Sequence, residues 1–254
     1  MANSRPLLGI IAALPAEARC LGVREFPAGQ VVTVADKVVL IRCGIGRVRA
    51  ERAARDLIGT GAQALLSWGT AAAVSRDLGH GDLVLPRDVL SRHGHRFSVD
   101  HSWHDRLAEV LASQGGYCSG TVAEVDSVLS DADDKLRLRN LTGALIADME
   151  SAAIAEVCHG SGIPMLVLRA VSDKATMRIP DCALAAVDEN GDVSVARCLG
   201  KLAFAPGDLL ALLRLARGFR GACTALTGLA RRAGPEFRLP ASGALEDAPG
   251  DPHA

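Results

Sequence analysis

Apolar runs and helical patterns alternate along most of the chain. Three runs, LLGIIAAL at 7–14, ALLSW at 64–68 and MLVLRAV at 165–171, are typical of strands that are buried on both faces. Residues 31–43 alternate or run apolar around a polar turn at Asp36, which predicts a hairpin. Helical spacing between such strands favours an α/β protein in which helices cover a sheet.

A strand, helix, strand unit at residues 144–174 carries the strongest chemical signal. Glu150 opens its helix and shares a face with Ile154 and Val157, so its carboxylate is predicted to face inward. The alternative is an ordinary first-turn glutamate whose charge favours the helix start. Asp173 follows the second strand at its carboxyl end, where open α/β sheets bind ligands. The two acids are therefore predicted to converge on one crevice.

Composition narrows the classes of function. With 254 residues, 49% of them hydrophobic and 22% charged, the chain is long enough to bury the core of one sizeable domain. A formal net charge of −1 provides no overall basic field for nucleic acid, which favours a small-molecule substrate. Seven scattered cysteines without a CxxC pair, and a first apolar run too short for a signal peptide, predict a cytoplasmic protein with reduced thiols.

Two motifs together resemble one enzyme superfamily. Asp148-Met149-Glu150 before a helix of small residues, followed by Arg169-Ala170-Val171-Ser172-Asp173, resembles the purine nucleoside phosphorylases and the methylthioadenosine/S-adenosylhomocysteine nucleosidases. The resemblance spans residues 7 to 175 and implies a three-layer αβα sandwich around a central mixed sheet. It also implies cleavage of an N-ribosidic bond, with no metal and no cofactor other than inorganic phosphate as co-substrate of a phosphorylase.

The resemblance assigns roles to the acids and their neighbours. Asp173 is expected to protonate or hydrogen-bond the purine at N7, and burial after an apolar strand is expected to favour its protonated form. Glu150 is expected to hold the ribose hydroxyls. Met149 is expected to pack against ribose or base, unless it is an ordinary core methionine. Arg169 either orients this acidic end of the sheet or forms a structural ion pair.

The first strand also ends in a glutamate. Pro15-Ala16-Glu17 follows the apolar run at 7–14, and Pro15 suits the first position of a helix. Glu17 alone would be a residue that starts this helix. By resemblance it matches the catalytic glutamate that activates water in the nucleosidases. Breaking an N-ribosidic bond requires a stabilised oxocarbenium-like ribosyl cation, a problem close to glycoside hydrolysis.

The strand at 64–68 leads into Gly69-Thr70-Ala71-Ala72. The family carries a Gly-Ser-Ala-Gly-Gly loop here, so Gly69 and Thr70 are expected to reach the ribosyl or nucleophile site. Alanines at 72 and 73 replace both later glycines, which predicts a stiffer or narrower loop. The turn Gly44-Ile45-Gly46 similarly resembles the family's turn near the ribose pocket, although a plain strand-to-helix turn is equally consistent.

The choice between water and phosphate depends on arginines. Trimeric bacterial phosphorylases carry phosphate-binding arginines at positions where this chain has Ala16 and Ser67. A phosphate dianion needs guanidinium or backbone donors, so this difference favours water as the nucleophile. Arg47 and Arg49 are the alternative phosphate ligands.

Only a few residues of the sequence are candidates for contacts with the purine base. The segment 120–129 is predicted to be a strand, and Val128 matches an aromatic residue that stacks on the purine in related nucleosidases, which leaves base choice partly open. Histidines at 93, 95, 101 and 104 suggest zinc, but no HxxxH or HExxH pattern aligns them, so we interpret them as loop residues. By resemblance, His93 or His101 contacts substrate.

Residues 176–232 extend the resemblance to the hopanoid-associated phosphorylases, which are thought to remove adenine from adenosylhopane. We therefore expect a single domain at 1–232 with a divergent helical extension at 176–232 and a disordered, proline-rich tail at 233–254. Leucines and arginines between Asp208 and Arg220 fit either an interfacial helix that guides a lipid substrate or, as we prefer, a helix docked on its own core.

The sequence thus predicts an N-ribosyl hydrolase or nucleoside phosphorylase that releases adenine from a small-molecule or lipid-linked 5′-substituted nucleoside. Adenosylhopane is the preferred substrate, in hopanoid biosynthesis, and a methylthioadenosine/S-adenosylhomocysteine nucleosidase is the main alternative. A non-catalytic nucleoside-binding protein is the second alternative, disfavoured because all three acids are present. The resemblance further implies a homo-oligomer, and the lipid-linked substrate implies peripheral membrane contact.

Overall fold

One mixed β-sheet organises the structure. In the computed structural model, which describes residues 6–24, 26–113, 115–192 and 194–241, ten strands pair into this sheet. The strands are β1 Leu8–Ala12, β2 Val31–Ala35, β3 Val38–Arg42, β4 Ala64–Ala73, β5 Leu83–Val84, β6 Asp88–Leu90, β7 Arg96–Ser98, β8 Thr121–Glu124, β9 Ile146–Asp148 and β10 Met165–Asp173. Their order is β2-β3-β1-β4-β9-β8-β6-β7, and β10 pairs with β4 and β5.

Helices cover the sheet. They are α1 Pro15–Cys20, α2 Arg47–Gly59, α3 His101–Ala112, α4 Ala132–Thr142, α5 Ser151–Ser161, α6 Asp181–Ala186, α7 Val195–Phe204 and α8 Leu209–Ala233, with a 3-10 turn at Pro206–Asp208. Helix α2 packs against α5, and α8 packs against α1, α3 and β10. The predicted fold class, helical layers around a central mixed sheet, is confirmed.

The centre of the sheet is parallel. Strand β4 lies parallel to both β1 and β10, so the three strands end at the same edge of the sheet. Nearly every residue of β1 and β10 is buried, which explains why both appear in the sequence as continuous apolar runs. This shared edge positions the residues that follow β1 and β10.

Strand β4 is longer than the sequence pattern predicts. Residues 69–73, predicted to form a loop, continue the strand because they pair with β10 from Gly69 to Ala72 and with β9 at Ala72 and Ala73. Pairing on both sides satisfies the backbone of this segment and fixes it as extended chain. Thr70 is therefore held on a strand.

The C-terminal extension contains α6, α7 and α8. Helix α8 runs unbroken through the glycines at 218, 221 and 228. The reason is clearest at Gly218, where a Cβ atom would lie 2.3 Å from the carbonyl oxygen of Ser172, so glycine permits close packing on β10. The prediction of a docked helix covers residues 208–220, and within these bounds only Gly218 is buried, whereas Leu209, Leu210 and Leu213 are exposed. The part of α8 that packs on the core follows this segment, at Ala222, Leu226, Leu229 and Ala233.

Residues 234–241 pack against the core. The ring of Phe237, 1% exposed, lies 5.1 Å from that of Trp68, and its carbonyl accepts a 2.7 Å hydrogen bond from Trp103 Nε1. The predicted start of a disordered tail at 233 is therefore wrong for residues 234–241. Residues 242–254 lie outside the described residues.

No helix in the described parts of the chain has the combined length and apolarity needed to cross a membrane.

Candidate active site

A cavity at the carboxyl ends of β1, β4 and β10 brings together four of the predicted site residues. They are Glu17, Thr70, Glu150 and Arg169. The rest of its wall consists of Ile11, Ala13, Cys43, Ser67, Trp68 and Ile154. Its volume of about 10 Å³ is close to the space that one water molecule needs, far below the roughly 300–1,000 Å³ of typical ligand pockets. A nucleoside could bind here only if the walls of this cavity moved apart.

Glu17 is held by four hydrogen bonds. Its Oε2 accepts from the backbone N–H groups of Ala13 (3.0 Å) and Leu14 (2.9 Å), and its Oε1 accepts from the backbone N–H (2.7 Å) and hydroxyl (2.9 Å) of Thr70. Burial raises the pKa of Glu17, against the lowering effects of the Arg169 charge and of these donors. The structure therefore presents a fixed carboxylate with increased proton affinity.

Gly69 is required by the position of Glu17. A Cβ atom at residue 69 would lie 2.6 Å from Glu17 Oε1, and the four hydrogen bonds prevent that carboxylate from moving aside. Gly69 thus contributes by leaving space for Glu17, and its backbone belongs to β4.

Glu150 immediately precedes α5 and faces the same cavity. Its Oε1 accepts a 2.8 Å hydrogen bond from the backbone N–H of Gly46, in the turn before α2, and its Oε2 accepts a long 3.3 Å bond from Met149. Burial, followed by the negative charge of Asp148, raises the pKa of Glu150 from 4.5 to about 7. Met149 itself is half-buried beside this carboxylate. The predicted inward orientation of Glu150 is confirmed.

Arg169 forms a buried ion pair with Asp148. Its Nε donates to Asp148 Oδ2 at 2.8 Å, and its Nη2 donates to Ser67 (2.7 Å) and Ser151 (3.0 Å). The structural ion pair expected for Arg169 is present, and its positive charge also opposes the rise in the pKa values of Glu17 and Glu150. The sequence reasoning assigned no role to Asp148, although the motif contains it.

Asp173 lies apart from this cavity and has a cation as its partner. It pairs with Ala72 of β4, which lies two residues, or about 7 Å, beyond Thr70 along that strand. Its Oδ2 accepts a 2.5 Å bond from the ammonium of Lys135, and its Oδ1 accepts a 2.8 Å bond from Ser172. Asp173 is buried as predicted, and its partner is the ammonium of a buried lysine.

Lys135 is the functional candidate that sequence reasoning missed. It lies in α4, its side chain is fully buried, and it also donates to the carbonyl oxygens of Lys174 (3.0 Å) and Met177 (3.1 Å). The helix around it is rich in charge, so nothing in the local pattern distinguishes this lysine from a solvated one.

Val128 and the histidines do not line the cavity. Strand β8 ends at Glu124, before Val128, which is 44% exposed. His93 and His101 are exposed, whereas His104 is fully buried, with Nε2 3.2 Å from the carbonyl oxygen of Leu85. Within the described ranges, no cluster of three or more histidine, cysteine or acidic side chains is arranged to hold a metal ion.

The two alternative phosphate ligands are paired with acids. Arg47 donates to Glu124 at 2.8 Å and also contacts Glu156, and Arg49 donates to Glu189 at 2.6 Å. A phosphate would have to compete with these carboxylates for the guanidinium groups.

Comparisons with known proteins identify the family to which the chain belongs. The model of the phosphorylase superfamily matches residues 8–202. The 5′-methylthioadenosine/S-adenosylhomocysteine nucleosidase of Shewanella piezotolerans is 32% identical over 179 residues, which cover 59% of this chain and 74% of that protein. The corresponding protein of Shewanella pealeana is 32% identical over 61% of this chain and 76% of its own length.

Solved structures show the same fold. The nucleosidase of Neisseria meningitidis in complex with methylthio-immucillin-A superposes with a TM-score of 0.68 at 19% identity, over 91% of this chain and 99% of that one. The futalosine hydrolase of Helicobacter pylori superposes with a TM-score of 0.67 at 19% identity, over 89% and 95% of the two chains. Given the family match and the relatives at 32% identity, the chain belongs to the phosphorylase superfamily.

Proposed function

We propose that this chain hydrolyses the N-ribosidic bond of a 5′-substituted adenine nucleoside and releases adenine. The observation that carries this proposal is the cavity that Glu17 and Glu150 both line, with Asp173 nearby at the end of β10. The names of the relatives at 32% identity, all methylthioadenosine/S-adenosylhomocysteine nucleosidases, support the same chemistry.

Each acid has a distinct role in this mechanism. Glu150, whose Oε2 receives only a long hydrogen bond, accepts from the ribose hydroxyls. Glu17, with its raised pKa, removes a proton from the attacking water, because a base works best when its pKa approaches the working pH. Asp173 donates a proton to N7 of the departing base, so that adenine leaves as a neutral molecule, and Met149 packs beside the sugar. Arg169 orients the cavity through Asp148 and its charge.

Water is the proposed nucleophile. The guanidinium of Arg169 is directed at Asp148, Ser67 and Ser151, and those of Arg47 and Arg49 are directed at acids. A phosphate dianion in this cavity would also lie close to Glu17 and Glu150, whose negative charges oppose it.

Adenosylhopane is the proposed 5′-substituted substrate. The helical extension, which carries the resemblance to the hopanoid-associated phosphorylases, supports this choice. Methylthioadenosine and S-adenosylhomocysteine are the competing substrates, favoured by the relatives at 32% identity.

An assay of adenine release tests these proposals together. Purified full-length protein is incubated with methylthioadenosine, S-adenosylhomocysteine or detergent-dispersed adenosylhopane, with and without phosphate, and adenine and the sugar product are measured by chromatography. We expect free ribose products and release that is independent of phosphate, fastest from adenosylhopane. A ribose 1-phosphate product would overturn water as nucleophile, and faster release from the thionucleosides would overturn the lipid-linked substrate.

The stability of the folded protein is expected to depend on pH through Glu150. The pKa of Glu150 rises from 4.5 to about 7, so between these values the folded protein binds more protons than the unfolded chain. The stability that Glu150 contributes is therefore fully present below pH 4.5 and declines as pH rises through about 7. Glu150→Gln, which does not titrate, is expected to flatten this decline in melting temperature.

The same group should control substrate affinity. Because ribose hydroxyls bind better to an ionised acceptor, KM is expected to rise by up to about tenfold per unit as pH falls below the pKa of Glu150. Glu150→Gln should have a higher KM that no longer depends on pH in this range. If KM depends on pH in the same way in Glu150→Gln and in the unmodified enzyme, Glu150 is not the acceptor for the ribose hydroxyls.

A further inference from the structure

Exposed apolar side chains concentrate on one surface of the C-terminal extension. We call it the α7–α8 surface, and it consists of α7, the turn at Pro206–Asp208 and the first turns of α8. Among the described residues, eleven large hydrophobic side chains are exposed, and six of them lie here. They are Val195, Leu199, Phe204, Leu209, Leu210 and Leu213, which are 48–92% exposed. Such a concentration is typical of a surface that binds a partner.

Positive charge concentrates in the same segment. Residues 194–220 contain five arginines and lysines and a single acidic residue, Asp208, although the whole chain has a net charge of −1. Three exposed arginines, at 214, 217 and 220, continue the outward face of α8 beyond its leucines, because Leu213, Arg217 and Arg220 have the i, i+4, i+7 spacing of one helical face. The apolar end of the helix is therefore followed by a band of cations.

We propose that the α7–α8 surface binds the interface of an anionic phospholipid membrane. Leucine and phenylalanine side chains at the helix tip would enter the boundary between headgroups and acyl chains, while the arginines one to three turns away contact lipid phosphates. A second copy of the chain is a poor occupant, because it would bring two strongly basic segments face to face. The predicted homo-oligomer would then use other faces.

The position of this surface connects it to the candidate active site. Gly218 of α8 packs on the carbonyl of Ser172, the residue before Asp173, and Leu213 lies five residues or about 7.5 Å earlier along the helix. A membrane bound at these leucines would therefore lie within a few helical turns of Asp173, the acid proposed to contact the purine. This link to a lipid-linked nucleoside rests on the proposed function, whereas membrane binding itself does not.

Vesicle flotation tests the proposal. The full-length protein is mixed with vesicles of phosphatidylcholine alone or of an equal mixture of phosphatidylcholine and phosphatidylglycerol. We expect flotation with the anionic vesicles, and a loss of at least about tenfold in the bound fraction for the variant Leu209→Ser/Leu210→Ser/Leu213→Ser. The control Val48→Ser/Leu141→Ser changes exposed apolar residues elsewhere, 78% and 84% exposed, and should float normally.

The cations are tested separately. Arg214→Gln/Arg217→Gln/Arg220→Gln should weaken flotation, and so should raising salt from about 0.1 to 1 M, which shortens the Debye length from about 10 to 3 Å. The matched control Arg52→Gln/Arg55→Gln removes two exposed arginines of α2 and should have no effect. Adenine release from soluble methylthioadenosine, measured in parallel, reports on the proposed function independently of flotation.

The proposal is wrong if the leucine variant and the unmodified protein float equally, or if neither floats. A further result identifies a different occupant. A decrease in molecular mass of the leucine variant by light scattering, without any membrane binding by the unmodified protein, would make the α7–α8 surface a contact between copies.

Discussion

Replacing Glu17 with glutamine is expected to lower kcat for adenine release by about 10²- to 10⁴-fold, the range that a general base contributes. All of the donors around Glu17 are N–H or O–H groups, so the amide of glutamine must direct its own N–H₂ at one of them. The variant therefore loses the base and leaves buried donors unpaired, at a cost of about 1–3 kcal/mol. Initial rates and a melting curve separate the two effects.

Thr70→Val is the matched comparison for this experiment. Four donors fill the roughly four acceptor sites of the Glu17 carboxylate, so a nucleophilic water can bind only where a donor leaves. The Thr70 hydroxyl is the only one of the four that is not backbone, and removing it opens a site for water without removing the base. We expect Thr70→Val to retain much more activity than Glu17→Gln.

A surface variant completes the design. Glu109→Gln changes an exposed glutamate on α3 and should leave kcat unchanged. If Glu17→Gln is folded and also keeps its kcat, Glu17 is a structural anchor between β1 and β4 and another group activates the nucleophile.

Local sequence patterns were sufficient for the central unit of the fold. The predicted strand, helix and strand between 144 and 174 correspond to β9, α5 and β10. Continuous apolar runs identify buried parallel strands, and glycine ends α5 at Gly162, where φ is positive. The ends of β1 and β10 could be predicted as a site edge because parallel strands direct their carboxyl ends to one side.

Contacts between distant segments could not be predicted in this way. Pairing with β9 and β10 extends β4 through Thr70, although the alanines and glycine of that segment have weak strand preference. Phe237 follows a helix in a polar stretch, and only its packing on Trp68 shows that it belongs to the core. These features depend on tertiary packing that overrides local propensity.

The same limit applies to the charges of the candidate site. Asp148 and Arg169 are 21 residues apart, and Lys135 and Asp173 are 38 residues apart. The sequence gives no periodic signal that links either pair, because an ion pair needs only proximity in the folded state. The position of each acid could be predicted from strand ends, but its cation partner required the structure.

Replacing Lys135 with methionine is expected to destabilise the protein by about 3–5 kcal/mol, because it leaves the buried carboxylate of Asp173 without a cation. For a chain of this length the melting temperature should fall by roughly 6–20 °C. Lys201→Met, which changes an exposed lysine on α7, is the control and should melt like the unmodified protein. Calorimetry or circular dichroism measures the difference.

A double-mutant cycle then separates charge pairing from packing. Adding Asp173→Asn to Lys135→Met removes the unpaired charge, so the double variant should recover a large part of the lost stability. If the double variant is as unstable as the sum of both single variants, the side chains are not coupled and the ion pair is not what Lys135 contributes.

The rate of catalysis shows whether Lys135 also positions Asp173 for the reaction. The hydrogen bond from Lys135 Nζ fixes Asp173 Oδ2, so its loss in Lys135→Met is expected to lower kcat for adenine release by up to about 10²-fold. A merely structural lysine would lower the melting temperature and leave kcat of the folded protein unchanged. Lys135→Arg, which keeps a cationic donor, should restore much of kcat even where its larger side chain lowers stability.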